Sequence, residues 1–291
     1  MPEVNETIGG YRLRSLLQTG QVSQVFEVVE PQSNRHFAMK ILLPEAAEKS
    51  DVRSVLFHEA EVGTKLRHEN VIHILKISRN IQSPHFIMEY FPSGSIRTRL
   101  MGKDFAFIKE HAMKVCKQAA TALAYMHASG WVHCDVKPDN LLVNAAGQLK
   151  IIDFAISRRI PKGLSKLFYR QSKAQGTPSY MSPEQIRKQA LDGRADIFGL
   201  GATYYEVVTG RPPLRGNTIP DLLNKQLTEK PFSPQSHNKD VTDDFANLIL
   251  RMLSKKKEER PQSCHDVLIA MRKMKVFKSD PDPMEEVGMM M

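Results

Sequence analysis

The sequence contains few cysteines, few aromatic residues and no long apolar run, and each scarcity argues against a class of protein. Among its 291 residues are three cysteines, Cys116, Cys134 and Cys264. An odd number without metal-ligand spacing argues against a disulfide framework and favours a reducing compartment, so we expect a cytoplasmic location. Polar residues interrupt apolar segments such as residues 71–75, which predicts no transmembrane helix.

Charge and aromatic content narrow the possible partners. The formal net charge is +9, and aromatic residues make up 7% of the chain. No basic stretch is interleaved with aromatic residues in the manner of single-strand binders, which argues against a nucleic-acid partner. A solvated basic surface and attraction to acidic partners both remain consistent with the charge.

The hydrophobic pattern predicts a β-rich first third followed by a mainly helical remainder, an α+β chain. Strand patterns occupy residues 10–43, 74–77 and 85–90, with helical spacing over 51–67. Helical spacing then recurs over residues 112–127, 196–209, 243–253 and 264–276. Phe91–Ser95, with its proline and glycine, predicts a hinge. We therefore expect domains over residues 1–91 and 92–277 and a disordered tail over 278–291.

The chemistry is concentrated in Val-His-Cys-Asp-Val-Lys-Pro-Asp-Asn at residues 132–140 and in the Ile-Asp-Phe-Ala of residues 152–155. Together they supply Asp135, Lys137, Asn140 and Asp153. Phosphoryl transfer needs positioned cations more than covalent chemistry, and these residue types can hold a metal nucleotide. The two segments resemble the catalytic loop and metal-binding segment of the protein kinases.

Further motifs extend this resemblance over nearly the whole chain. Lys40, in Ala38-Met39-Lys40, is similar to the family's strand lysine, with Glu59 as its expected helix partner. The alternative is a strand-edge lysine and a solvated glutamate. Residues 176–184 resemble the end of an activation segment, so Glu184 should pair with Arg260, and Asp196 should anchor the catalytic loop. The residues of these motifs are most similar to those of bacterial Hanks-type serine/threonine kinases.

The resemblance implies a two-lobed kinase fold, ATP and Mg²⁺ as cofactors, and protein serine or threonine hydroxyls as substrates. By it, Asp135 orients the substrate hydroxyl, Lys137 stabilises the transferring phosphoryl group, and Asn140 and Asp153 hold the metal. Lys40 and Glu59 would serve the nucleotide phosphates. The implied nucleotide-binding residues are Leu17, Gly20, Val25, Ala38, Lys40, Met88, Glu89, Phe91, Leu142 and Ile152.

Several positions depart from the family pattern. Gly20 is the one glycine kept of three in the glycine-rich loop. Cys134 stands for the arginine that grips an activation-loop phosphate, so we expect activity without phosphorylation of Ser165, Ser172 or Thr177. Ala155 replaces a glycine, at a cost of roughly 1 kcal/mol if the position needs positive φ.

Gly63, one turn after Glu59, leaves a side-chain slot that relatives fill with an apolar residue. A regulatory partner could hold the Glu59 helix there, or a neighbouring side chain could fill the gap.

The segment between Asp153 and Gly176 is basic and lacks acidic residues: it carries Arg158, Arg159, Lys162, Lys166, Arg170 and Lys173. It is either a solvated loop or a docking site for acidic substrates. A pseudokinase, a nucleotide-responsive scaffold, is the alternative to an active enzyme. A small-molecule phosphotransferase is a third possibility, against which residues 176–184 argue because that segment docks proteins.

Overall fold

A computed structural model describes residues 2–161 and 174–281 of the chain. Lys162, Ser165, Lys166, Arg170, Ser172, Lys173 and most of the predicted tail lie outside the described residues. The described chain divides into two compact units. One comprises residues 2–92 and 153–155, and the other comprises the remainder.

The first unit is built on one six-stranded antiparallel sheet in the order β1-β2-β3-β4-β6-β5. The strands are β1 (Thr7–Ile8), β2 (Tyr11–Thr19), β3 (Ser23–Glu30), β4 (Arg35–Leu42), β5 (Ile74–Ser78) and β6 (His85–Glu89). Alternating apolar side chains explain the burial of one face, where Leu13, Val28 and Met39 are inaccessible to solvent. Register pairs Val25 with Lys40, which fixes the lysine in the middle of the sheet.

Two helices, α1 (Pro44–Ala47) and α2 (Ser50–Gly63), complete the first unit. The sequence predicted that the second would continue to Arg67. Instead the chain tightens after Gly63: the Lys65 N–H donates to the Val62 carbonyl at 3.0 Å. This shorter turn brings Leu66 into the core, where it is fully buried.

Helices dominate the second unit. They are α3 (Ile96–Met101), α4 (Phe105–Ala128), α5 (Pro183–Ile186), α6 (Gly193–Thr209), α7 (Ile219–Thr228), α8 (Asp243–Met252) and α9 (Cys264–Ala270). Helix α4 begins well before the predicted residue 112 because the Asp104 carboxylate caps it, accepting from the Phe107 N–H at 3.3 Å. Helix α9 ends at Ala270 and continues only as a 3₁₀ turn, Met271–Lys273, so the predicted helix to residue 276 was too long.

Short strands frame the segment that carries the chemistry. Strand β8 (Trp131–Val132) precedes it and pairs with β11 (Arg158–Arg159). Strand β9 (Leu141–Val143) follows it and pairs with β7 (Gly94–Ser95) and β10 (Leu149–Ile151). Residues 133–140 are therefore held at both ends by hydrogen-bonded strands, with a 3₁₀ turn at Pro138–Asn140.

These two units, one β-rich with a long helix and one mainly helical, confirm the predicted α+β two-lobed fold class. Among the helices of the described residues, none combines the length and the apolar character needed to cross a membrane.

Candidate active site

Lys40 and Glu59 form the pair predicted from the sequence. The Lys40 ammonium donates to both carboxylate oxygens of Glu59, at 2.9 and 2.7 Å. Strand β4 supplies the lysine and the buried face of α2 supplies the glutamate, which is 4% exposed. The alternative of a strand-edge lysine and a solvated glutamate is therefore wrong.

Asp153, in the same unit, adds a second carboxylate to the electrostatics of this pair. Burial raises the pKa of Glu59 to about 7, with the charge of Lys40 opposing the rise and that of Asp153 adding to it. Burial lowers the pKa of Lys40, but the charges of Glu59 and Asp153 outweigh it and leave the pKa raised. The single Lys40 ammonium thus interacts with the charges of two carboxylates, Glu59 and Asp153. The negative charge that remains would attract a further cation.

The other candidate nucleotide-binding residues of the first unit lie along its sheet. Gly20 begins the β2–β3 turn and donates its N–H to the Ser23 carbonyl at 2.8 Å. Leu17 precedes it with an exposed side chain. Val25 lies opposite Lys40, and Ala38 lies opposite Met88.

The last two candidates of this unit lie at and just beyond the end of the sheet. Glu89 ends β6, and its carboxylate accepts from the His73 N–H at 2.8 Å. Phe91 follows and is half-buried.

In the second unit, a hydrogen-bonded network fixes the Asp135 carboxylate. Lys137 donates to one of its oxygens at 2.5 Å, and the other oxygen accepts from the backbone and the hydroxyl of Thr177, both at 2.9 Å. Lys137 also donates to the Thr177 hydroxyl at 2.8 Å. A carboxylate held by an ammonium and a hydroxyl in this way can accept or orient a proton.

Asn140 is tied into the same loop through its amide nitrogen. That nitrogen donates to the Asp135 carbonyl at 2.9 Å and to its carboxylate at 3.2 Å. Because the amide hydrogens are used in this way, the amide oxygen is the atom available to bind a cation.

Leu142 and Ile152 flank the loop in the second unit. Leu142 lies half-buried on β9, opposite Lys150 of β10. Ile152 donates its N–H to the Asn140 carbonyl and accepts from the His133 ring through its own carbonyl, both at 3.0 Å. These contacts connect the start of the metal segment to the catalytic loop.

The start of the catalytic loop is fixed by Asp196 of α6, as predicted. The N–H groups of His133 and Cys134 each donate to its carboxylate at 2.8 Å. His127 of α4, which the sequence did not identify, donates to the same carboxylate at 2.8 Å. Burial lowers the pKa of His127, but the charges and hydrogen bonds of Cys264 and Asp196 raise it to about 10.

The Cys134 side chain is surrounded mainly by apolar side chains. It lies in an apolar cluster with Val132, Leu191 and Ala195, and is 6% exposed. Burial raises the pKa of its thiol well above the ordinary value, with the Asp196 charge adding to the rise. The side chain is therefore a neutral apolar group at physiological pH.

The expected backbone cost at Ala155 does not occur. Its φ lies outside the left-handed region, whereas Asp153, two residues earlier, has a φ of 69°. The Ala155 N–H donates to the Asp153 carboxylate at 3.3 Å. Cys134 is also left-handed, with a φ of 70°, and the sequence predicted this conformation at neither Asp153 nor Cys134.

The slot beside Gly63 is filled by a neighbour within the same unit. A Cβ at this position would lie 2.7 Å from Ile74 Cγ1 and 3.2 Å from the Phe154 ring. Both side chains are buried. Of the two alternatives for Gly63, the structure supports the one in which a neighbouring side chain occupies the gap.

Arg97 organises a cluster that the sequence did not reveal. Its guanidinium donates to Glu206 and to the Tyr180 hydroxyl, both at 2.5 Å, and to Asp139 at 3.2 Å. Tyr180 in turn donates to Glu206. The available signal was a glutamate within the largely apolar residues 197–209 of α6, since a buried carboxylate requires a partner.

Glu184 and Arg260 form the predicted structural pair. The guanidinium donates to both carboxylate oxygens, at 2.7 and 2.9 Å, and both side chains are buried. This pair ties α5 to the loop before α9 and lies apart from the catalytic loop in sequence.

The two predicted metal ligands, Asn140 and Asp153, both carry oxygen donors. Mg²⁺ is commonly bound by one or two protein oxygens together with substrate phosphates, rather than by a complete protein cage. Asp153 offers a carboxylate and Asn140 an amide oxygen, and no cluster of three or more His, Cys, Asp or Glu side chains suited to a metal occurs among residues 2–161 and 174–281. The oxygen donors of these two residues, one in each unit, are of the chemical type that binds a divalent metal.

Comparison with known proteins agrees with this geometry. The family model for the protein kinase domain matches residues 11–270. The chain is 28% identical to the serine/threonine-protein kinase PknB of Mycobacterium leprae over 261 residues, which is 88% of this chain and 42% of that protein.

Two further relatives are probable serine/threonine-protein kinases. That of Streptomyces coelicolor is 27% identical over 92% of this chain and 40% of its own length, and that of Clostridium perfringens is 28% identical over 94% and 39%. The chain thus spans about two fifths of the length of these curated relatives. With a family model covering most of its length, the chain belongs to the protein kinase family.

Proposed function

We propose that the chain transfers the γ-phosphoryl group of ATP, as its magnesium complex, to serine and threonine hydroxyls of proteins. The observation that supports this most strongly is the network that joins Asp135, Lys137 and Thr177. A half-buried carboxylate that accepts hydrogen bonds from an ammonium, a hydroxyl, a backbone N–H and an amide is an arrangement that positions a hydroxyl nucleophile, and the ammonium beside it stabilises developing phosphoryl charge.

In this proposal, Asp135 accepts the hydrogen bond of the substrate hydroxyl, and Lys137 stabilises charge on the phosphoryl oxygens. The bound metal would supply charge neutralisation of the phosphates. Asn140 and Asp153 would each contribute an oxygen to it. Lys40, positioned by Glu59, would hold phosphate oxygens.

We assign the adenine and ribose contacts to the apolar and backbone groups that the family resemblance indicated. Ala38 and Met88 lie opposite each other on neighbouring strands of the first unit, which gives them one shared surface. The full proposed set is Leu17, Gly20, Val25, Ala38, Met88, Glu89, Phe91, Leu142 and Ile152.

Transfer of labelled phosphate from ATP to a generic protein substrate tests the proposal. Loss of a general base costs about 100- to 10,000-fold in rate, so we expect Asp135→Asn to fall by that factor. Asp139→Asn is a matched control in the same loop, because Asp139 pairs with Arg97 and not with the Asp135 network. Equal rates in wild type and Asp135→Asn would refute the proposal.

The pseudokinase alternative predicts a different result. Nucleotide would then raise the thermal midpoint of the wild type without any transfer above the Asp135→Asn background. The single glycine of the β2–β3 turn favours this alternative, because side chains at the other positions restrict the approach of backbone amides to phosphates.

We further propose that activity does not require phosphorylation of the activation segment. The neutral Cys134 thiol lies in an apolar cluster, where it cannot bind a phosphate dianion. The Thr177 hydroxyl is already bonded to Asp135 and Lys137, so adding a phosphate to it would disrupt the network. Initial rates should be equal before and after phosphatase treatment, and a collapse to near zero would contradict this.

A preference for acidic substrates extends the same proposal. Of the basic run, Arg159 lies over the Trp131 ring at 4.2 Å and Arg158 donates to Gln175 at 2.6 Å, so both have local roles. Charge reversal at Arg158, Arg159 and Lys162 should lower efficiency toward acidic peptides and weaken its salt dependence. No change for any substrate would exclude this docking role.

A regulatory partner at the Glu59 helix also remains a proposal. Glu59 already pairs with Lys40 within this chain, and Ile74 fills the space beside Gly63. A partner would therefore act on the exposed face of α2, where Val55 lies, and its binding should change amide hydrogen exchange there.

We propose a cytoplasmic location for this unit on the basis of its thiols. All three cysteines are free and buried. Buried free thiols are compatible with a reducing compartment.

A further inference from the structure

A basic cavity lies on the second unit, next to the loop between α8 and α9. Its volume is 390 Å³. Its charged lining comprises Glu184, Arg187, Lys255, Lys256, Lys257 and Glu258.

The carboxylates of this lining do not neutralise its cations. Both carboxylate oxygens of Glu184 already accept hydrogen bonds from Arg260, so the charge of Glu184 is balanced by that guanidinium rather than by the cations of the cavity. Glu258 is largely exposed and lies 3.9 Å from Arg194. The cavity therefore presents an excess of positive charge.

Two of the lysines have carboxylate neighbours outside the cavity. Lys256 lies 3.8 Å from Glu259, and Lys257 lies 3.6 Å from Asp192. These pairs are long and partly exposed, so solvent screens them.

Lys255 is different, because its ammonium nitrogen is buried and has no hydrogen-bond partner within the described part of the chain. The Phe198 ring centroid lies 5.5 Å away and offers only a cation–π contact. Burial and, to a smaller extent, the Arg260 charge lower the pKa of Lys255 to about 8, with the Glu229 charge opposing them. A buried, unpaired ammonium is costly unless an anion compensates it.

Arg187 provides a second cation, for which the described residues supply no counterion. It is exposed at the cavity edge, and its guanidinium makes no ion pair with residues 2–161 or 174–281. A planar guanidinium and an ammonium together match the oxygens of a tetrahedral dianion.

We propose that this cavity is a binding site for a phosphate group, with Lys255 and Arg187 as its principal ligands. A dianion matches two otherwise uncompensated cations better than a carboxylate does. The volume exceeds what one phosphate fills, so the site also accommodates the side chain that would carry it. The shared chemistry is that of inorganic phosphate and of phosphorylated serine or threonine.

The cavity lies close to a structural element that bears on the catalytic loop. Glu184, one of its lining residues, belongs to α5, and Gln185 of the same helix donates to the Cys134 carbonyl at 2.8 Å. A ligand in the cavity would therefore stabilise α5 together with this contact. The site itself does not depend on the proposed transfer activity.

Binding is tested by calorimetry and thermal melting of the whole chain with inorganic phosphate, phosphothreonine and a short phosphothreonine peptide, each against chloride at equal ionic strength. We expect saturable binding to the wild type. Arg187→Gln and Lys255→Gln should each weaken it by about tenfold or more, since each removes a charge-assisted hydrogen bond. Lys188→Gln, which removes the same charge from the next exposed residue, is the matched control and should bind as the wild type does.

Comparison of the three phosphate ligands also identifies which kind of phosphate the cavity binds. Equal affinity for the free ion and the peptide supports a receptor for inorganic phosphate, whereas tighter peptide binding supports recognition of a phosphorylated side chain. A response no larger than that to chloride would overturn the proposal. So would undiminished binding in both Arg187→Gln and Lys255→Gln, because the phosphate would then bind elsewhere.

Discussion

Replacing Gly63 with alanine tests whether the end of α2 is already filled by its neighbours. Alanine is normally the better helix residue, by up to about 1 kcal/mol. The φ of Gly63 is not left-handed, so its backbone can accept a side chain. Helix propensity alone therefore predicts that Gly63→Ala stabilises the first unit.

The packing predicts the opposite sign. The new Cβ would lie 2.7 Å from Ile74 Cγ1 and 3.2 Å from the Phe154 ring, both closer than ordinary contact. Ile74 is 2% exposed and Phe154 is fully buried, so neither side chain can swing into solvent. Inserting a methyl group into a packed core costs about 1–3 kcal/mol, which leaves a net destabilisation of about 0–2 kcal/mol.

The assay must report on the first unit. The single tryptophan, Trp131, lies in the second unit, so its fluorescence would follow the wrong part of the molecule. Amide hydrogen exchange of α2 and β5 measures the local opening free energy directly. Protection there should fall in Gly63→Ala.

A double-mutant cycle identifies the cause. Ile74→Ala alone should cost about 2–5 kcal/mol through its cavity. Combined with Gly63→Ala, it should be more stable than the sum of the two changes by about 1–3 kcal/mol, because the new methyl group occupies part of the vacated space. Val55→Ala, on the exposed face of the same helix, controls for propensity. A stabilised Gly63→Ala with an additive cycle would refute the packing argument.

Three further predictions concern the second unit. Cys134→Arg should lower the urea midpoint of unfolding, because it places a guanidinium in an apolar cluster at a cost of about 2 kcal/mol or more. Cys116 and Cys134 should resist iodoacetamide at pH 8 in the folded protein and react on unfolding, as mass spectrometry would show, because burial raises the pKa of both thiols. The folded-state pKa of His127, about 10, exceeds its ordinary 6.5, so the stability that wild type gains over His127→Gln should be complete near pH 6 and disappear as pH rises through 10.

The sequence predicted those parts of the site in which chemistry is written into short segments. Asp135, Lys137 and Asn140 lie within six residues, and the fold brings them into one network. Lys40 and Glu59 are further apart, yet a lysine in an apolar strand requires a buried counterion, and the glutamate of the following helix provides it. Such requirements can be inferred without coordinates.

Features that depend on three-dimensional packing could not be predicted in this way. Arg97 meets Glu206 across 109 residues of sequence, and nothing in the sequence identifies Arg97 as the partner of this glutamate. The gap expected at Gly63 is absent because Ile74 of another element enters it. A missing side chain shows where space could exist, but only the neighbours decide whether it does.

The backbone conformation at Cys134 explains how the catalytic loop can lose its arginine without losing its shape. The loop uses the backbone of this residue: its N–H donates to Asp196, and its carbonyl accepts from Gln185. Both bonds are independent of the side chain, and together they stabilise a left-handed φ that costs roughly 1 kcal/mol in a residue with a Cβ. The geometry around Asp135 therefore depends on α6 and α5 rather than on a charge at position 134. A change of side chain there can alter how the activation segment is controlled while leaving the network of Asp135 in place.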